Sequence, residues 1–165
     1  CLSGAMPQGC NYLSIYLSIY EVAARNGRLE VLQWVLPQQL PLPRGTNVCL
    51  DAARGGHLEV LQPARRRQPP CPWDASVCAA AARAGHLEVL QWARQQQPPC
   101  PWDASVCLEA ARGNQLEVLQ WLRQQQPPCP WDKRNVLRAT RSVLKEACSR
   151  SEPRAVGRWV ETADD

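Results

Sequence analysis

Cysteine is the residue type whose spacing in this sequence comes closest to a chemical motif. Six of the nine cysteines form two regular rows, Cys49, Cys78 and Cys107 in one and Cys71, Cys100 and Cys129 in the other. CPWDASVC runs from Cys71 to Cys78 and again from Cys100 to Cys107, and CPWD returns at Cys129 to Asp132. Zinc ligation, thiol redox chemistry and plain burial could each use cysteines placed this way. Zinc needs four converging ligands, typically with two of them about two to four residues apart, and no such cysteine pair exists. His57 and His86 lie away from the cysteines, and their equivalents in other copies, Arg28 and Gln115, cannot replace them as ligands. For the row Cys49, Cys78 and Cys107 burial is the simplest reading, because free cysteine behaves as a small hydrophobe, and the histidines read as turn residues bonding backbone groups. No metal and no cofactor are expected. Nor is an enzyme, since no nucleophile with a base, no phosphate loop and no paired acids stand out.

The elements that carry these residues repeat. AARNGRLEVLQW starts at Ala23, AARGGHLEVLQP at Ala52, AARAGHLEVLQW at Ala81 and AARGNQLEVLQW at Ala110, so the copies follow one another at a constant step. A fixed period of about 20 to 50 residues marks a stacked array. In the third copy, Asp74 or Ser76 caps a first helix that runs to about Ala84 and stops at Gly85. Leu87 opens a second helix whose Leu87, Leu90 and Ala93 share a face at helical spacing, and Pro98–Pro99 ends it. PPCPW then reads as an extended connector. Two helices of about ten residues cannot bury their apolar faces alone, whereas three or more stacked pairs can. Members of one cysteine row would then sit on helices about 8 to 10 Å apart, beyond the roughly 4.4 to 6.8 Å of a disulfide, so bridges within a row are not expected.

Totals narrow the class. Phe is absent while Trp reaches seven and Pro fifteen, which concentrates bulk in the recurring positions. A net charge of +4 with 21 % charged residues is too modest and mixed to name a nucleic-acid or membrane partner. Nothing approaches the roughly 20 apolar residues of a membrane span. Nine cysteines without a pairing scheme point to a reducing compartment, so an intracellular, cytoplasmic protein is expected, with the nucleus as the other setting. Because the chain opens on Cys1 rather than Met, a fragment or processed product is expected.

DASVCAAAARAGHLEVLQW, from Asp74, resembles the ankyrin repeat: an Asp, a hydroxyl residue two on, adjacent alanines, a Gly-His turn and Leu-Glu-Val stand in the ankyrin order. The resemblance covers roughly residues 16 to 132. It implies an all-α helical-hairpin solenoid of about four stacked repeats that binds other proteins and has no catalytic residues. The 29-residue unit is shorter than the usual length of about 33, and PPCPW replaces the hairpin segment, so β-hairpins are expected to be reduced or absent. The organisation reads as an N-terminal tail over 1–12, repeats over 13–44, 45–73, 74–102 and 103–131, and a C-terminal capping element over 132–165 whose last residues fray. Within that last element a helix through Val136, Leu137, Val143 and Leu144 and a shorter one after Pro153, with Trp159 folding back, are expected. Pro63, where the other copies carry Trp, predicts a kinked or shortened second helix in its repeat.

The candidate binding surface lies where the copies differ. Leu50, Ala79 and Leu108 occupy one such position; Asp51, Ala80 and Glu109 occupy the next, with both carboxylates expected to face solvent. Beside them runs the basic row Arg25, Arg54, Arg83 and Arg112, expected to pair with the acidic row Glu30, Glu59, Glu88 and Glu117 or to serve as a recognition stripe, reinforced by Arg65 to Arg67. Trp73, Trp102 and Trp131 in the connectors read either as glue between units or as an exposed stripe. The residues assigned to partner binding are therefore Leu50, Asp51, Arg54, Ala79, Arg83, Leu108, Glu109, Arg112, Trp73, Trp102 and Trp131. The expected partner is a protein, met by a monomeric scaffold, with neither nucleic acid nor membrane. The runner-up is a thiol-rich metal-binding or redox-responsive repeat acting through the connector cysteines.

Overall fold

A computed structural model describes residues 11–35, 48–66, 70–71, 73–146 and 154–163. It is all helical: ten helices and no strand occur among the described residues. They are α1 (Asn11–Arg25), α2 (Leu29–Val35), α3 (Val48–Gly55), α4 (Leu58–Arg66), α5 (Ala75–Ala84), α6 (Leu87–Gln95), α7 (Ala104–Arg112), α8 (Leu116–Gln124), α9 (Lys133–Glu146) and α10 (Arg154–Thr162). The helices α1, α3, α5, α7 and α9 pack each against the next, and α2, α4, α6 and α8 each cover the helix that precedes them. We call the first set inner and the second outer.

Local chemistry sets the helix ends. The Asp74 carboxylate accepts the Ser76 backbone N–H at 2.9 Å, and Asp103 accepts that of Ser105 at 2.8 Å, satisfying donors that the first turn leaves free. Asp132 accepts from Arg134 and Asn135 in the same way at the start of α9. At the turn into each outer helix the backbone enters the left-handed region, at Gly27, Gly56, Gly85 and Asn114, with φ of 63°, 79°, 84° and 57°. Gly85 has a second reason to lack a side chain, because a Cβ there would lie 2.5 Å from the Gln115 amide. His57 and His86 take the same place over Gly27 and Gly56 and donate from Nε2 to the backbone carbonyls of Arg25 and Arg54, at 3.1 and 3.2 Å. Each turn thus rests on the one before it.

The core repeats with the sequence. Leu32, Leu61, Leu90 and Leu119 are buried at one register, Val60, Val89 and Val118 at the next, and the alanine pairs Ala52–Ala53, Ala81–Ala82 and Ala110–Ala111 lie where the inner helices meet. Full burial of a Leu contributes about 1.5–3 kcal/mol, and the alanines let the inner helices approach closely. On α6 it is Val89, Leu90 and Ala93 that are buried, with Leu87 half-buried at the rim. Among the described residues the connectors after α4, α6 and α8 hold no strand, and each folds back on its own outer helix. Cys71, Cys100 and Cys129 donate their backbone N–H to the Ala64, Ala93 and Leu122 carbonyls at 3.0 to 3.1 Å. That bond carries the connector cysteine inward.

Two expectations change. The helix holding Pro63 is not shortened: α4 spans nine residues, as α6 and α8 do. Val60, Leu61 and Ala64 around the proline are buried, so packing holds the helix although one backbone bond is lost. The first helix begins at Asn11, inside the segment read as a tail. At the other end α10 packs on α9 and α8, burying Val156 and Val160 and setting Trp159 6.1 Å from Trp131. The connector with Arg44, Arg67, the side chains of Val143 and Leu144 and the last two residues lie outside the described residues.

Candidate functional site

A groove of about 820 Å³ runs along the inner helices α3, α5 and α7. Its floor is Leu50, Ala79 and Ala80; Asp74, Ser76, Asp103 and Ser105 line it at the starts of α5 and α7, and Arg54 and Arg83 at the ends of α3 and α5, with Glu109 also on its wall. The ten residues of α5, at about 1.5 Å each, separate those ends by about 15 Å, so the groove is acidic at one end and basic at the other. A second cavity of about 450 Å³ continues towards α9, between Arg83, Leu108, Arg112 and Arg138.

The basic row is built into the fold through carboxylates on its own helix and on the next inner helix. Arg25 Nη2 lies 2.8 Å and Arg54 Nη1 3.6 Å from Asp51 Oδ1. Glu109 lies between Arg83, at 3.1 Å, and Arg112. These contacts correct two expectations. Asp51 is 6 % exposed and Glu109 is half-buried, because the arginine of the preceding helix closes over each. The Arg row therefore pairs with these carboxylates, while Glu30, Glu59, Glu88 and Glu117 stay exposed in the first turns of the outer helices, where their charge complements the helix dipole. The hydrogen bond and charge of Asp51 raise Arg25 further above its ordinary range.

The connector tryptophans stand outside this groove. Trp73 meets Trp92 edge to face at 5.8 Å, and Trp102 meets Trp121 at 6.1 Å. Over each lies an arginine of the preceding outer helix: Arg65 at 4.1 Å from the Trp73 ring centre, Arg94 at 4.0 Å from Trp102 and Arg123 at 4.7 Å from Trp131. The same guanidinium groups donate to the Cys71, Cys100 and Cys129 carbonyls at 2.5, 2.8 and 3.5 Å. This arginine clasp ties an outer helix, its connector and the next outer helix together. Of the two readings of the tryptophans, the contacts favour glue. Sequence reasoning missed the clasp, although its signal was present: Arg65, Arg94 and Arg123 share the step of the repeat and each precedes a connector Trp by eight residues. In the first copy both members are absent, replaced by Leu36 and Arg44.

The six row cysteines form no disulfide and are buried. They are electrostatically coupled between rows, not within one: Cys49 with Cys71, Cys78 with Cys100 and Cys107 with Cys129. Cys100 and Cys129 donate to the Asp74 and Asp103 carbonyls, at 3.4 and 3.5 Å. The partner thiol and burial push Cys49, Cys78 and Cys129 up, whereas the partner thiol lowers Cys100 and Cys107. Among the described residues no three His, Cys, Asp or Glu side chains converge as around a metal ion, and no helix is long and apolar enough to cross a membrane.

Of the residues assigned to binding from sequence, Leu50, Arg54, Ala79, Arg83 and Glu109 line the larger groove and Leu108 and Arg112 the smaller. Asp51 is buried beneath two arginines, and Trp73, Trp102 and Trp131 lie in the clasps. No protein-family model, curated protein or solved structure matches the chain.

Proposed function

We propose that the chain is an ankyrin-like solenoid of about four helical-hairpin repeats with a C-terminal cap, acting as a non-enzymatic scaffold that binds a protein partner in the inner-helix groove. The observation that carries this reading is the coincidence of the groove with positions that differ between otherwise uniform copies: Leu50, Ala79 and Leu108 in one register, Ala80 and Glu109 in the next. A framework repeated with little change supplies a preformed surface, which loses little conformational entropy on binding. Specificity then resides in the few side chains that change.

The thiol-responsive alternative has one feature in its favour, the coupling of thiols between rows. Against it stands their burial, with exposures of 0 or 1 % for all six cysteines of the two rows, which shields them from oxidants and metals.

The test begins with partner capture on the immobilised protein, followed by affinity measurements with the purified partner. Leu108→Glu and Arg54→Glu should each weaken binding at least tenfold with the circular dichroism spectrum unchanged, and Cys71, Cys100 and Cys129 changed to Ser should leave it within about twofold. Loss of binding only in the cysteine variants would replace the scaffold reading with the thiol one.

A further inference from the structure

The Arg–carboxylate ladder on the groove wall has one rung missing. In register with Asp51 and Glu109 stands Ala80, one repeat after the first and one repeat before the second. At both flanking positions a carboxylate is held by two arginines, one on its own helix and one on the helix before: Arg25 and Arg54 around Asp51, Arg83 and Arg112 around Glu109. By the same geometry a carboxylate at position 80 would lie between Arg54 and Arg83. Ala80 supplies none.

Each arginine of the row touches a single carboxylate, and what sets Arg54 and Arg83 apart is that both face the same position, Ala80, where none is supplied. Arg54 reaches Asp51 only at 3.6 Å, the longest contact of the set, and the two side chains remain 50 % and 63 % exposed. The space they flank is open, since Arg54, Ala80 and Arg83 all line the groove. The fold thus presents two guanidinium groups, spaced by the repeat to bracket a carboxylate, at the end of a cavity wide enough to admit a side chain. Guanidinium forks match carboxylate geometry and form strong, charge-assisted hydrogen bonds with it.

We propose that the gap above Ala80, between Arg54 and Arg83, receives an Asp or Glu side chain of the partner, which completes the ladder from outside. The inference rests on the groove reading above and specifies its chemistry: the partner offers an acidic segment, with its carboxylate at the arginine end and neutral or basic residues towards Asp74 and Asp103.

The probe is a fluorescein-labelled (Ser-Glu)4 peptide, read by anisotropy, with (Ser-Gln)4 and the oligonucleotide dT8 alongside. (Ser-Glu)4 should bind with an affinity that falls as salt rises, and (Ser-Gln)4 should not bind. Ala80→Glu, which fills the gap with the chain's own carboxylate, should weaken (Ser-Glu)4 binding at least tenfold and raise the melting temperature. Gln91→Glu, the same change of charge on an exposed site of α6, should leave affinity within about twofold. Equal losses in the two variants would mean that only net charge matters and would overturn the proposal. So would absence of (Ser-Glu)4 binding, or dT8 binding more tightly with the same sensitivity to Ala80→Glu, which would assign the gap to phosphate. If (Ser-Glu)4 fails while Leu108→Glu still releases a purified partner, this inference falls and the groove reading stands; a partner indifferent to every groove substitution removes both.

Discussion

Replacing Arg94 by Ala tests whether the arginine clasp holds neighbouring units together. The guanidinium loses two things at once: its stack over Trp102 at 4.0 Å and its 2.8 Å hydrogen bond to the Cys100 carbonyl. A partly exposed cation–π contact is worth about 0.5–1 kcal/mol, and a hydrogen bond from a charged donor about 1.5–3 kcal/mol. Arg94 is half-buried, so the lower part of the second range applies, and the sum is about 2–3 kcal/mol. Arg83→Ala is the internal comparison, since it removes an ion pair whose arginine is 63 % exposed, a kind of contact worth about 0–1 kcal/mol. Arg94→Lys keeps a charge near the ring but loses the planar fork, and should fall between wild type and Arg94→Ala. The assay is equilibrium unfolding in urea, followed by circular dichroism and by tryptophan fluorescence, with coincident transitions required before free energies are compared. If Arg94→Ala costs no more than Arg83→Ala, the clasp is incidental packing and the account of how the connectors seal the array is wrong.

Pro63→Ala should stabilise the protein by up to about 3 kcal/mol, because α4 already runs its full nine residues and the substitution restores a backbone donor inside it; a lower urea midpoint would show that the proline ring itself packs productively. Gly85→Ala should destabilise by about 1–3 kcal/mol, since φ is 84° and the new Cβ would meet the Gln115 amide at 2.5 Å, and the double change with Gln115→Ala should recover the steric part but not the backbone part. The thiol pairs predict a pH dependence. Cys49, Cys78 and Cys129 are raised in the folded chain, so above the free-thiol value of about 8.5 the unfolded chain releases protons that the native pairs retain. The lowering at Cys100 and Cys107 acts in the opposite sense, but a second thiolate beside a buried first one is the costlier state. Stability should therefore fall between about pH 8.5 and pH 10. A urea midpoint that is flat or rises over that interval, measured under reducing conditions, would show that the pairs are not coupled in the native protein.

Much of the architecture was legible along the chain because it follows from rules that act over a few residues. Asp74 and Asp103 cap the helices that follow them, Gly85 and Asn114 turn the backbone, Pro98 stops α6, and the apolar spacing marks the buried face of each outer helix. The buried Cys49, Cys78 and Cys107 of the first helices were readable in the same way, as small residues at a core register. A constant period multiplies each local signal by the number of copies, and in the third copy the first helix ends at Ala84 and the second opens at Leu87, as the sequence places them.

What the sequence could not decide is who meets whom across the period. Asp51 read as solvent-facing; its own helix offers it Arg54, and a second arginine, Arg25, comes from the inner helix before and covers it. Cysteines expected to stay apart within a row proved to be coupled between rows, because the connector folds back to give its backbone N–H to the outer helix. Arg94 becomes a clasp only when the next connector places Trp102 beneath it. The vacancy above Ala80 likewise has no meaning in one dimension, where alanine is merely a good helix former. The repeat by itself determined the helices, their turns and the residues that face inward, for these depend on backbone dihedrals and side-chain period. Only stacking decided which carboxylates are buried, which thiols are coupled and where the ladder is open, because those depend on the separation and angle between neighbouring helix pairs, and a linear pattern carries neither.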